Sequence, residues 1–281
     1  MQPRASGEPG GSSGKDRDPS ARRIRVPEIS ISEIQHGTFP QASRLNPRFT
    51  PARPLLLVTL KVRWAPKDPP RAFAALEKGL LAFSGTFRRH QCRGMGIYHV
   101  FSDAGGNGGS RAGSGESSAP SGKEEEFDAG LALAHLLEHA VIDFLSEVTG
   151  EASCSGITGA HRSVSHRYDV LVECREMEVG CCCLALALAW LQDLCRGQAM
   201  GSAEKEVLSV LRWIHRRAAP VVFASRVAGA LGWSEDRVER ALAALQETGY
   251  LEAAEYAMNL SGLPAYHPRR FAQGARLPLR P

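Results

Sequence analysis

The chain has 281 residues, 43% of them hydrophobic, with a formal charge of +4. That is enough apolar material to bury one large core or two modest ones, which excludes a wholly disordered or fibrous chain. The imbalance of 34 Lys and Arg over 30 Asp and Glu is too small to imply nucleic acid by itself, so no partner follows from charge alone.

Residues 1–26 are rich in Gly, Ser, Pro and charge. They are too poor in large apolar groups to offset ordering entropy and are expected to be a disordered tail. Because Met1–Ser20 contains no apolar core segment, a secretory signal or membrane anchor is not expected, and the expected location is cytoplasmic, with no membrane partner.

The stretch 54–64 is β-rich, and Pro70–Phe83 has helical spacing through Phe73, Leu76, Leu80 and Phe83. Gly96–Phe101 reads as a short strand. Residues 103–126 carry Gly-Gly and Ser-Gly runs and read as a flexible insertion into a domain, a surface excursion that costs little closure entropy. Gly130–Thr149 is a strong helix, with Leu131, Ala134, Leu137, Val141, Ile142 and Leu145 at three- and four-residue spacing and Gly150 at its end. His166–Cys174 reads as a strand. Glu176–Arg196 reads as a buried helix, because its longest apolar run is shorter than the ~20 residues of a bilayer span. Seven cysteines form no CxxC pair, so buried reduced thiols are expected rather than a thiolate metal site.

From Ser202 the texture changes. Ser202–Arg217, Phe223–Leu231 and Ser234–Thr248 read as short helices, and Gly249–Ala253 as a wing strand. Ser234 stands where an N-cap belongs, with Glu235 and Asp236 in the first turn. Three helices and a hairpin predict a winged-helix domain over 202–258, followed by a basic tail over 259–281. The fold class expected is α/β, an α+β two-layer sandwich with helices packed on one sheet over 54–198, carrying this small C-terminal module.

The sharpest chemistry lies in His135-Leu136-Leu137-Glu138-His139. Residues four apart share a helix face, so both imidazoles can direct nitrogens at one ion about 2.0–2.1 Å away. Glu138, three residues on from His135, can serve as general base toward a water whose pKa the ion lowers. This is the HxxEH order, the reverse of the commoner HExxH. A catalytic zinc needs a third protein ligand. The carboxylates that follow the 166–174 strand are Glu173, Glu176 and Glu178, with Glu176 preferred and Glu173 the alternative. The structural alternative to the whole site is a pair of half-buried histidines donating to backbone carbonyls.

These residues resemble the N-terminal domain of cyanophycin synthetases. The block from His135 to Phe144 is similar to a family run of His-Leu-Ile-Glu-His followed by apolar and acidic positions. Tyr168–Met177 is similar to a family block of Tyr-Asn-Val-Val-Phe-Glu, and Leu80–Gly94, with Gly85, His90 and Cys92, resembles a third. The three blocks fall in the family's order across about residues 54–196. The resemblance implies a pitrilysin-like metallopeptidase fold, with zinc held by His135, His139 and Glu176, Glu138 as base, and a cyanophycin-like peptide or polymer as substrate. The chain departs from the family at Leu145 and Met177 and in its Gly-rich approach to the helix. It also lacks the synthetase's nucleotide-binding parts. Gly14-Lys15 and Gly122-Lys123 have no upstream glycine at phosphate-loop spacing, which leaves hydrolysis rather than synthesis.

For the C-terminal module, DNA binding through Arg237 and Arg240 on the 234–248 helix is the functional expectation. The same helix carries Glu235, Asp236, Glu239 and Glu247, which a duplex repels. A protein contact or homo-oligomer is the alternative. The reading as a whole is a zinc-dependent hydrolase of amide or isopeptide bonds; its rival is a regulator that joins a hydrolase-like sensor to a DNA- or protein-binding module.

Overall fold

The computed structural model describes residues 26–66, 68–84, 128–151, 154–161, 164–198, 201–254 and 265–269. The expected strand at 96–101, the insertion at 103–126, the third resemblance block beyond Ser84, nearly all of the N-terminal tail and most of the basic tail lie outside them.

Four antiparallel strands form the main sheet in the order β1-β2-β4-β3. They are β1 (Glu28–Gly37), β2 (Leu55–Arg63), β3 (Gly156–Ala160) and β4 (Arg167–Glu173). Alternation sorts the side chains of the central pair to two faces. Leu56, Val58, Leu60 and Val62 of β2, with Tyr168, Val170 and Val172 of β4, face the helices and belong to the main core. Leu55 instead joins Ala42 and Phe49 in a small separate cluster, with Ile157 and Leu171 against it, on the opposite face. In β1 the register shifts between Ile31 and Glu33, so Ile29, Ile31 and Ile34 all serve the core although their spacing is not uniformly two. A single helical turn, α1 (Ala42–Leu45), lies in the connection that builds the small cluster.

On the core face lie α2 (Pro69–Phe83), α3 (Ala129–Thr149) and α4 (Met177–Cys195). The mixed α/β architecture with helices against one sheet agrees with the sequence reading. Asp68 caps α2 by accepting from the Arg71 N–H at 3.2 Å. Asp128 caps α3 by accepting from the Leu131 N–H at 3.0 Å, and it also accepts from the Tyr168 hydroxyl at 2.8 Å. Gly130 makes that second contact feasible, since a Cβ there would stand 2.4 Å from the Tyr168 oxygen. The left-handed Gly150, at φ 75°, ends α3 where the sequence marks its stop.

Helices α3 and α4 are long and apolar enough to cross a membrane by length and composition, but 83% and 67% of their most apolar windows are buried inside the fold. Both are buried core helices here. Phe83, Phe144 and Trp190 from α2, α3 and α4 meet ring to ring, with centroids 4.8–5.9 Å apart.

The C-terminal segment folds as α5 (Ser202–Arg217), α6 (Ala224–Leu231) and α7 (Glu235–Glu247), with short strands β5 (Val222–Phe223), β6 (Leu251–Ala253) and β7 (Ala265–Pro268). The strands pair antiparallel in the order β5-β7-β6. Ser234 is indeed the first cap residue of α7, yet its side chain makes no cap hydrogen bond; the acids in the first turn are left to favour that end.

Among the described residues, the buried apolar side chains of this segment join the main core. Val207, Leu208, Leu211 and Ile214 of α5, with Val238, Leu242 and Leu245 of α7, belong to the same apolar cluster as the sheet and α3. Arg212 of α5 reaches Glu147 of α3 at 2.9 Å, and the Thr248 hydroxyl lies 3.4 Å from Cys182 of α4.

Candidate metal centre

Helix α3 carries the candidate site on the flank that meets β3, an edge strand of the main sheet. His135, Glu138 and His139 present ligand atoms that all lie within 4.8 Å of one another, the only such group of three among the described residues. The two imidazole centroids are 4.5 Å apart and their planes meet at 58°, the geometry expected of an i, i+4 pair on one helix face. His135 Nδ1 stands 3.4 Å from Glu138 Oε2.

Glu138 is 3% exposed and His139 5%, while the His135 side chain retains 21% of its exposure, so the cluster opens on the His135 side. A carboxylate so deeply buried needs a partner, because desolvating it alone is costly. The Thr158 hydroxyl of β3 supplies one, donating to Glu138 Oε2. Gly156, two residues earlier on the same strand face, lies over the other oxygen, and a Cβ there would stand 2.5 Å from Oε1. Neither Thr158 nor Gly156 is signalled by the sequence, where Gly-Ile-Thr-Gly-Ala reads as an unremarkable short segment. Asp143, one turn beyond His139 on α3, is a further buried carboxylate, 5% exposed, that the sequence reading passed over.

Two imidazoles and a carboxylate suit zinc or another borderline divalent ion, and the donor set here therefore fits a metal. The third ligand expected from the sequence is not brought to it. Glu176 is the first cap residue of α4 and is largely exposed; its carboxylate lies 3.5 Å from His215 Nδ1 of α5. Its neighbour Arg175 pairs with Glu151 at 2.8 Å, just past the end of α3. Glu176 is not part of the group formed by His135, Glu138 and His139. Glu173 fails for a different reason. It shares the parity of Leu171 and pairs across with Leu55, so it occupies the sheet face turned away from α3. There its Oε2 accepts from the Ser155 N–H at 3.1 Å and meets Arg53 at 3.4 Å. Glu178 sits in the first turn of α4, two residues beyond Glu176, and is not part of the group either.

Among the described residues the cysteines form no second centre. The six described ones are all free thiols, and burial pushes every one of them up, with Cys174, Cys181, Cys182 and Cys195 at about 12. Cys92 lies outside the described residues.

In the C-terminal module the two arginines proposed for DNA are in different states. Arg237 is committed within the protein: its guanidinium lies 3.9 Å from the Trp233 ring centroid, and its Nε is 3.0 Å from Glu206 of α5. Arg240 is exposed, as are Glu235, Asp236 and Glu247, so the solvent face of α7 is more acidic than its sequence count alone suggests. Of the histidines outside the site, His161 meets Asp169 at 2.7 Å, and Asp169 accepts from Thr59 at 2.7 Å. This pair belongs to the sheet face away from α3, shared with Leu171 and Glu173.

A scan of protein-family models matches none of them to this chain, and a search of curated proteins returns no significant relative.

Proposed function

We propose that the protein is a zinc-dependent hydrolase of amide or isopeptide bonds, working at the His135, Glu138 and His139 cluster. One observation carries this reading: a buried carboxylate and two imidazoles one turn apart converge within 4.8 Å, beside a partly exposed edge. Mere core histidines do not require a carboxylate in their midst, and burying one is costly even with Thr158 as its partner.

His135 and His139 would hold the ion through their ring nitrogens; among the described residues no carboxylate other than Glu138 joins the group. A bound zinc supplies Lewis acidity toward a carbonyl oxygen and makes a water readily deprotonated near neutral pH. Glu138, whose carboxylate stands beside His135, would accept that proton as general base. The oxygen of that water would add to the carbonyl carbon, and Glu138 would return the proton to the leaving nitrogen as the C–N bond breaks. Oligopeptides or β-aspartyl isopeptides are the substrate class, a choice that rests on the resemblance to the N-terminal domain of cyanophycin synthetases. The C-terminal helices and small sheet are read as a winged-helix module whose role is to brace α3 and α4. Arg237, being engaged with Trp233 and Glu206, gives DNA binding no support.

Metal analysis tests the reading. The purified chain is expected to retain about one equivalent of zinc, to lose it in His135→Ala or His139→Ala, and to keep it in Glu138→Gln while losing hydrolysis of cyanophycin or β-aspartyl dipeptides. Zinc lost in Glu138→Gln would make Glu138 a ligand instead of a base. Full zinc retention in His135→Ala would remove the site altogether.

A further inference from the structure

We propose that Thr158 and Gly156, on edge strand β3, are the positioning residues of this site: together they fix the carboxylate of Glu138, an assignment that rests on the reading of Glu138 as the working acid-base group. A glutamate on a helix has three rotatable side-chain bonds, and freezing them costs free energy that some contact must offset. Thr158 provides the contact, a charge-assisted hydrogen bond to Oε2 inside the fold, where both residues are 3% exposed. As a β-branched residue Thr158 has few χ1 choices, so its hydroxyl is itself held.

Gly156 acts by what it lacks. Its missing side chain lets the strand pass directly over Oε1, where a Cβ would come within 2.5 Å of that oxygen and 2.9 Å of Ile142 Cδ1. The strand cannot drift to compensate. Gly156 pairs with Val172 and Thr158 with Val170 in the β4 ladder, and the Gly156 carbonyl accepts from the Asn46 side chain at 2.9 Å. Ser155, just before, is held by the Glu173 carboxylate at 3.1 Å. β3 is thus a fixed wall, and the carboxylate takes its orientation from that wall rather than from α3 alone.

The test uses Thr158→Val, which keeps the shape and removes the donor, and Thr158→Ser, which keeps the donor. In the metal-free full chain, Thr158→Val is expected to lower the folding equilibrium constant, and the loss should shrink by roughly tenfold or more when Glu138 is already Ala. Gly156→Ala is expected to behave likewise, its penalty falling once the Glu138 carboxylate is gone. With zinc, Thr158→Val should leave zinc content unchanged but lower kcat for β-aspartyl dipeptides by about tenfold or more and shift the pH profile of that rate; Thr158→Ser should restore both. Equal penalties with and without Glu138, or no rescue by serine, would overturn the proposal. A wild-type chain that binds neither zinc nor cobalt would overturn the metal reading instead, and the metal-free cycle would then decide Thr158 and Gly156 by itself.

Discussion

At the level of single residues, the site is assembled from two unequal sources. His135, Glu138 and His139 come from one helix and are set by its 3.6-residue period, so their convergence is readable from their spacing alone. Thr158 and Gly156 come from a strand 20 residues further on, and no spacing rule announces them. The distant third ligand is where the sequence reading goes astray. It takes Glu176 to lean back toward α3, whereas the α4 start lies level with the far end of that helix, beside Arg175, Glu151 and His215. Glu173 is excluded by strand parity, which a sequence discloses only once the buried face is known. Glu176→Gln is accordingly expected to leave zinc content unchanged, measured by atomic emission on the purified protein. Glu173→Ala should destabilise the fold by about 1–3 kcal/mol in urea titrations, because it strands the Ser155 N–H. The buried thiols bear on pH. Their folded pKa values stand above the ordinary 9.0, four of them at about 12, so their contribution is complete below pH 9 and is lost as pH rises toward 12. The melting temperature should therefore fall over that window, and the six thiols should resist a disulfide reagent in the native state.

Among the elements, the long periodic helices and the strand at 54–64 are legible in advance because each buries a continuous stripe or face. The N-terminal strand β1 is not. Its bulge between Ile31 and Glu33 breaks the alternation by which a strand is recognised, and it begins well before the expected boundary at residue 54. Strand β3 is hidden for another reason, having two glycines in five residues and only Thr158 buried. The start of α3 is a joint between elements: Asp128 serves the Leu131 N–H of its own helix and the Tyr168 hydroxyl of β4. Asp128→Ala is expected to cost about 1–2 kcal/mol, the upper end of a lost cap, since the buried Tyr168 oxygen loses its acceptor as well. Equilibrium unfolding followed by far-UV circular dichroism measures it.

Across the whole molecule, the change of texture at residue 202 suggests a boundary, and the described core runs straight through it. Helix α5 covers α3 with Val207, Leu208, Leu211 and Ile214, and Lys205 lies 5.4 Å from the Phe83 ring centroid of α2. A chain ending near residue 198 would expose these partners to water. It is expected to be insoluble or molten, with poor near-UV circular dichroism, and Ile214→Ala in the full chain should cost about 2–5 kcal/mol.

Helix α3 bears the imidazoles on its first half and Glu147, the partner of Arg212, near its last turn, roughly 12 Å along the axis from His139. One helix thus carries both features. An ion held by the imidazoles would stabilise the same helix that the C-terminal helices pack against. Saturating zinc should raise one common melting transition, with residues around Trp213 and Trp233 reporting the same midpoint as the sheet.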